Sequence, residues 1–314
     1  MKKTFSILSV IVLSVLLVAC GPSNDGFNED ANIVVYTRDT TSGTRAGFME
    51  GIGFKEASAN DSVLVQGFVT QDNTQIFSSM QTDEYGIGYI SLSTLNNQIK
   101  GLNFEGVKPT VANVLNDTYG LKRPFMYMTR ASGDYASETV EQLVEAFVAF
   151  LGTTDASDII NNSGAIALPA TQTWDDIKAN HPVTNQDNSG VTVRSGGSDS
   201  IQKVAEALTN AFKPKAGNFI AEHDHTGSGD AFKRTWDPAV KDTSVGKDVG
   251  FSSRPFTASE IAGSDVEHTG QLAWDAIVAI VHKNNPVSNI TAEQLKGIYN
   301  GTYKTWGAIL TAQA

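Results

Sequence analysis

The chain has 314 residues, 40% of them hydrophobic and 18% charged, which is enough for two lobes with a core each and excludes a disordered polymer. A formal net charge of −11 argues against nucleic acid as a partner, because phosphate backbones need clustered Lys and Arg, and it leaves any anion site dependent on local donors. One cysteine excludes an internal disulfide.

Lys2 and Lys3 precede an apolar run from Phe5 to Ala19, which ends in Leu17-Val18-Ala19-Cys20-Gly21. The run is short for a membrane span and closes on small residues at a cleavage-like site. It resembles a bacterial lipoprotein box, which implies a signal peptide over 1–20 and lipid attachment at Cys20. Losing the two leader lysines takes the charge from −11 to −13. Residues 21–31, GPSNDGFNEDA, are polar and turn-rich and read as a flexible tether holding the protein outside the cell membrane.

After the apolar run Ile33 to Tyr36 comes TRDTTSGTRAGF, residues 37–48, leading into a helix-like segment. A strand end, a tight turn and a helix start here aim the Arg38 guanidinium, the Ser42 and Thr44 hydroxyls and free backbone N–H groups, Gly43 included, at one point, which suits an anion. Apolar runs at Val63 to Val69 and Gly86 to Leu92 continue an α/β alternation. Arg123 to Met128 reads as a strand entered through proline. Ser137 to Gly152 reads as an amphipathic helix with Val140, Leu143, Val144, Phe147 and Leu151 on its packed face. Residues 167–190, with Pro169, Pro182 and an NQDNSG run, mark a connecting segment.

The pattern then restarts. Val191 to Val193 reads as a strand, Gly196 to Ser200 as a turn and Ile201 to Phe212 as a helix, and a third such turn, Thr226-Gly227-Ser228-Gly229-Asp230, precedes Ala231 to Trp236. Three Gly/Ser turns before helices converge on an anion site. Ala276 to Val281 reads as a buried strand and Asn289 to Gly301 as a helix, with Thr291 and Gln294 as a capping box.

Other chemistries fit less well. His223 and His225 share a strand face, yet no further ligands accompany them in sequence, so no metal is expected. The serine turns lack a G-x-S-x-G elbow and no histidine is placed to activate them, so no catalytic residue and no enzyme is expected, and no cofactor. Trp174, Trp236, Trp274 and Trp306 read as packing residues.

Seven segments resemble the phosphate-binding lipoproteins of the bacterial high-affinity phosphate ABC transporter: TRDTTSGTRAGF (37–48), GIGYISL (86–92), KPTVANVLNDTYGLKRPFMY (108–127), GGSDSIQ (196–202), TGSGDAF (226–232), KDVGFSSRPF (247–256) and NPVSNITAEQLKGIYNGTYKTWGAI (285–309). The resemblance implies an α/β, two-lobed type II periplasmic-binding-protein-like fold. Their order differs from the family's, where the segment like GGSDSIQ opens the mature chain and the one like KTWGAI runs into the one like YTRDTTSGTR. A circularly permuted order is therefore expected, with 167–190 joining the usual termini, lobe A formed by 32–105 plus 285–314 and lobe B by 106–284.

The resemblance further implies inorganic phosphate as ligand and an ABC permease as partner. It places phosphate contacts on Arg38, Ser42, Gly43 and Thr44 in one lobe, and on Asp199, Ser200, Ser228 and Gly229 in the other. Asp199 stands where a threonine is usual, and Arg254 where many relatives carry an aspartate that accepts the proton of hydrogen phosphate. Asp199 is expected to take over that acceptor role and Arg254 to add positive charge; a plain helix cap at Ser200 is the alternative reading of Asp199. A monomer is expected. The alternatives are a sensor or adhesion lipoprotein that keeps the fold, or capture of another tetrahedral oxyanion.

Overall fold

The computed structural model describes residues 26–311. Its strands are β1 (Val34–Thr37), β2 (Val69–Thr70), β3 (Gly86–Ser91), β4 (Lys100–Gly101), β5 (Asn103–Phe104), β6 (Lys122–Thr129), β7 (Ile166–Ala167), β8 (Thr192–Gly197), β9 (Ile220–His225), β10 (Val249–Ser252), β11 (Thr269–Val281) and β12 (Asn289–Ile290). Its α-helices are α1 (Gly43–Gly51), α2 (Asn73–Met80), α3 (Val111–Leu115), α4 (Glu138–Leu151), α5 (Thr154–Asn162), α6 (Trp174–Ile177), α7 (Gln202–Phe212), α8 (Gly229–Thr235), α9 (Ala258–Ala262), α10 (Ala292–Tyr299) and α11 (Trp306–Thr311).

Local chemistry explains where the clearest helices start. Ser137 Oγ accepts from the Val140 amide at 3.3 Å and opens α4, whose apolar face is buried, while Gly152 ends it. Thr291 and Gln294 cap α10 reciprocally, with bonds of 3.0 and 3.1 Å. The expected helix over 289–301 is shorter than its pattern because Asn289–Ile290 pairs with Asn103–Phe104 as a strand. Val63 to Val69 forms mostly turn, with a two-residue strand at its end, since an isolated apolar run cannot distinguish a strand from a packed loop.

The main sheet runs β2-β1-β3-β11-β6-β10-β8-β9, with β4 and β7 also against β11. Parallel pairs lie at both ends, β1 with β2 and β3, and β8 with β9 and β10. The long β11 joins them: Ile277 to Val281 pairs antiparallel with β3, and Thr269 to Ala276 pairs antiparallel with β6 across a bulge at Gln271/Ala273.

The two largest hydrophobic cores among the described residues flank this join. Val35, Phe48, Tyr89, Leu121, Ala276 and Trp306 belong to one, and Phe125, Phe147, Leu208, Phe251 and Ala273 to the other. The cores therefore divide at the start of β6, between Leu121 and Phe125, and within β11 between Ala273 and Ala276. Residues 106–121 and 276–284, which the sequence assigns to lobe B, contribute Val114, Tyr119, Ala279 and Val281 to the first core. The reason is that β6 and β11 pair as a ribbon that crosses between the lobes, so the chain leading into β6 and the last part of β11 pack in the first core.

Two expected connectors are packed. Trp174 and Val183, within 167–190, are buried in the second core, and Asn188 Nδ2 ties the segment to Val183 O at 2.9 Å and Ala216 O at 3.0 Å. The described end of the expected tether is docked: the Phe27 ring lies 5.2 Å from Tyr85 and 6.2 Å from Trp306, and the Gly307 amide donates to Glu29 O at 2.8 Å. An aromatic side chain half-buried at the rim anchors what composition alone reads as loose. The leader, Cys20 and residues 21–25 lie outside the described residues. Among the described residues no helix is long and apolar enough to cross a membrane.

Candidate functional site

Arg38 follows directly on β1, and buried neighbours lock its backbone. Its amide donates to Tyr89 Oη at 3.1 Å, and its carbonyl accepts from Arg45 Nη1 at 2.9 Å. Arg45 is itself buried and also donates to Ala57 O at 2.8 Å. Ser42 caps α1, its Oγ accepting from the Arg45 amide at 3.4 Å. Packing of α1 through Phe48, which stacks on Tyr89 at 4.0 Å, then sets the turn against the guanidinium.

The other lobe brings its turns to the same place. Arg38 Nη2 donates to Asp199 Oδ1 and Oδ2 at 2.5 and 2.6 Å, and Arg38 Nη1 to Thr44 Oγ1 at 3.1 Å and Ser200 Oγ at 3.3 Å. Thr44 and Ser200 hydroxyls meet at 2.6 Å. Asp199 also accepts from the Asn73 amide at 3.1 Å, at the first residue of α2 in the opposite lobe. A guanidinium and a helix-start amide are donors an anion would seek, and here a carboxylate from across the cleft takes them.

A second knot of hydroxyls lies alongside. Ser228 Oγ is 3.0 Å from Ser253 Oγ and accepts from the Ser253 amide at 3.0 Å, and Ser198 Oγ donates to Ser253 Oγ at 2.9 Å. Ser228 does not use its hydroxyl to cap α8 and turns it to Ser253 instead. Gly43 makes the approach possible: a Cβ there would lie 2.6 Å from Ser228 Oγ and 2.8 Å from Ser253 Oγ. Gly229 faces the same turn, with Thr41 Cβ 3.7 Å from the position of its missing Cβ. Gly197, at φ +103, bends the Ser198–Ser200 turn where a Cβ would strike Phe251 O at 2.2 Å.

The structure thus brings together Arg38, Gly43, Thr44, Asp199, Ser200 and Ser228, with Ser42 as the cap and Gly229 beside Thr41. Arg38, Thr44, Ser200, Ser228 and Ser253 are all buried. The Arg254 guanidinium goes elsewhere, to Glu260 Oε2 and Oε1 at 2.8 and 2.9 Å. Glu260 lies six residues on, in the first turn of α9, so a forked charge-assisted pair forms locally and draws the side chain off the hydroxyl cluster.

Electrostatics keep Asp199 charged. Burial raises its carboxyl, but the Arg38 guanidinium and the Asn73 amide outweigh burial and hold it below the usual carboxylate range. Behind the turn, His225 Nδ1 donates to Ser198 O at 2.9 Å and Nε2 lies 3.1 Å from His223 Nδ1, whose Nε2 meets Thr209 Oγ1 at 2.8 Å. Burial first, and the neighbouring His223 second, push His225 down to about 4. The His223 and His225 ring nitrogens are therefore engaged with one another, Thr209 and the backbone. No group of three or more metal-ligating side chains occurs among the described residues.

Sequence reasoning missed Asn73, Tyr89, Arg45 and Ser253. The capping box Asp72/Gln75 marks the start of α2 in the sequence, and the S-S pair at 252–253 was legible, but only the folded sheet order brings the first to Asp199 and the second to Ser228.

Comparisons with known proteins agree with this architecture. Residues 178–314 match the PBP superfamily domain model. The chain is 28% identical to phosphate-binding protein PstS 2 of Streptococcus pneumoniae over 98% of this chain and 99% of that protein. It is 25% identical to phosphate-binding protein PstS 2 of Streptococcus agalactiae over 97% of each. The crystal structure of a phosphate-binding protein of a phosphate ABC transporter from S. pneumoniae superposes with a TM-score of 0.62 at 23% identity, covering 89% of this chain and all of that one, and shows the shared fold. The chain is thus similar to the periplasmic-binding-protein superfamily model over residues 178–314, and to streptococcal phosphate-binding proteins over nearly its whole length.

Proposed function

We propose that the protein captures inorganic phosphate between its lobes, outside the cell membrane, and delivers it to an ABC permease. One observation carries this reading: a buried guanidinium meets hydroxyls of two turns, one from each lobe, and a second hydroxyl cluster at Ser228 and Ser253 packs against Gly43 of the first turn. Each oxygen of a tetrahedral oxyanion accepts several hydrogen bonds, and hydroxyls, amides and a forked guanidinium supply them without a metal. The names of the full-length streptococcal relatives support phosphate as the ion.

Binding is the whole of the function in this reading, and no bond is made or broken. The anion replaces the direct Thr44–Ser200 contact and shares Arg38 with Asp199, so that both lobes hold it and the population shifts to the liganded, closed form. Asp199, kept ionised, accepts the proton of hydrogen phosphate and repels sulfate, which has none to offer. Arg254 acts by pinning the Ser253 loop to Glu260 rather than by touching the ion. We read the protein as a monomer anchored through lipid on Cys20, and its chain order as a permutation of the family's. Thermal unfolding tests the core of this: phosphate raises Tm with ligand concentration, whereas no shift at millimolar phosphate contradicts it.

A further inference from the structure

A second guanidinium stands behind the cleft. Arg123, second residue of β6, faces Asp275 of β11 in register on the paired ribbon that joins the lobes. Its Nε and Nη2 donate to Asp275 Oδ2 at 3.0 and 2.9 Å, while Ser91 Oγ donates to Oδ1 at 2.8 Å. The third nitrogen, Nη1, is buried without a hydrogen-bond partner, and so is Arg38 Nε. The side chain is only 3% exposed, so solvent does not satisfy that donor.

Position ties Arg123 to the site already described. Its Cδ lies 3.7 Å from where a Cβ on Gly47 would be, one turn along α1 from Gly43 and Thr44. With Gly47 and Ser253 it lines an interlobe crevice of about 730 Å³. The charges of Arg38 and Asp199 both act on it. A guanidinium gripped along one edge by a carboxylate is fixed in orientation and offers its remaining edge to a second acceptor.

We propose that Arg123 is a second cationic residue of the oxyanion site, its Nη1 donating to the bound anion while Asp275 holds the fork in place. The inference rests on the oxyanion-binding reading. It adds a contact from the ribbon between the lobes, which makes a three-sided cradle of two lobes and their join. Because Asp275 balances Arg123 and Asp199 balances Arg38, the cradle holds two donors of charge-assisted bonds without a net positive charge that would admit any anion.

Calorimetric titration with phosphate, run on the wild type, Arg123→Lys and Arg38→Lys alongside ligand-free Tm, tests it. Lysine keeps the charge and one nitrogen for Asp275 but has no second nitrogen to reach the anion, so Arg123→Lys should bind about tenfold more weakly, with a folded ligand-free protein at a lowered Tm. Binding by Arg123→Lys within about twofold of wild type, while Arg38→Lys fails, would remove Arg123 from the site and leave the oxyanion reading intact. A wild type that binds no phosphate overturns both. If Arg123→Lys does not fold, the wild-type crystal structure with phosphate decides: Nη1 within about 3.2 Å of an anion oxygen supports the proposal, and a longer separation overturns it.

Discussion

Arg38 shows how a single side chain acquires its role from what confines it. Its amide, carbonyl and guanidinium are each held by a different element, and Asp199 reaches it from the other lobe. Asp199→Asn keeps the size but offers donors, so it should narrow phosphate-over-sulfate selectivity by about tenfold; unchanged selectivity in competition titrations would refute the acceptor role. His225 gives a second prediction. Its folded-state value is depressed to about 4, so the unfolded chain takes up the proton first. Its contribution to stability is full above about 6.5 and is lost as pH falls toward 4, on the order of 3 kcal/mol in all. Denaturant unfolding between those limits should show a shallower pH dependence in His225→Gln than in the wild type, and equal slopes would contradict it.

At the scale of elements, the turn from Thr37 into α1 was legible because its chemistry is local: cap, glycine and hydroxyls follow one another in the chain. The turns at Ser198–Ser200 and Ser228–Gly229 were legible for the same reason, as were α4 and α10 with their capping residues. The roles of Asn73, Ser253, Arg123 and Asp275 were not, because each depends on register between strands far apart in sequence. Arg254 illustrates the opposite limit, since a glutamate in the following helix, α9, took its charge. Gly43→Ala probes the turn as a unit. Its new methyl would meet Ser228 and Ser253 across the cleft, while α1 itself tolerates alanine. We expect phosphate affinity to fall by about tenfold or more with Tm largely kept; wild-type affinity in titration would show that the lobes do not approach at Gly43.

Across the whole molecule, the α/β class and two-lobed plan were readable from alternation and resemblance. The lobe limits were less so, since β11 carries residues of both cores and composition does not change along it. The two ends of the described chain meet, with Asn32 bridging Thr305 and Gly307 bonded to Glu29. A variant reopened between the exposed Ser189 and Gly190, with residue 311 joined to residue 29 by a short glycine linker, should therefore unfold cooperatively and bind phosphate within about threefold of wild type. Failure to fold would count against the permuted reading. The central claim, that the buried knot of Arg38 and its hydroxyls is an oxyanion site, is tested most directly by calorimetric titration of the protein, trimmed of its first 25 residues, with phosphate, sulfate, arsenate and molybdate. The account predicts saturable one-site heat with phosphate, well above that with sulfate, and its loss in Arg38→Met; no heat with any of the four anions would contradict it.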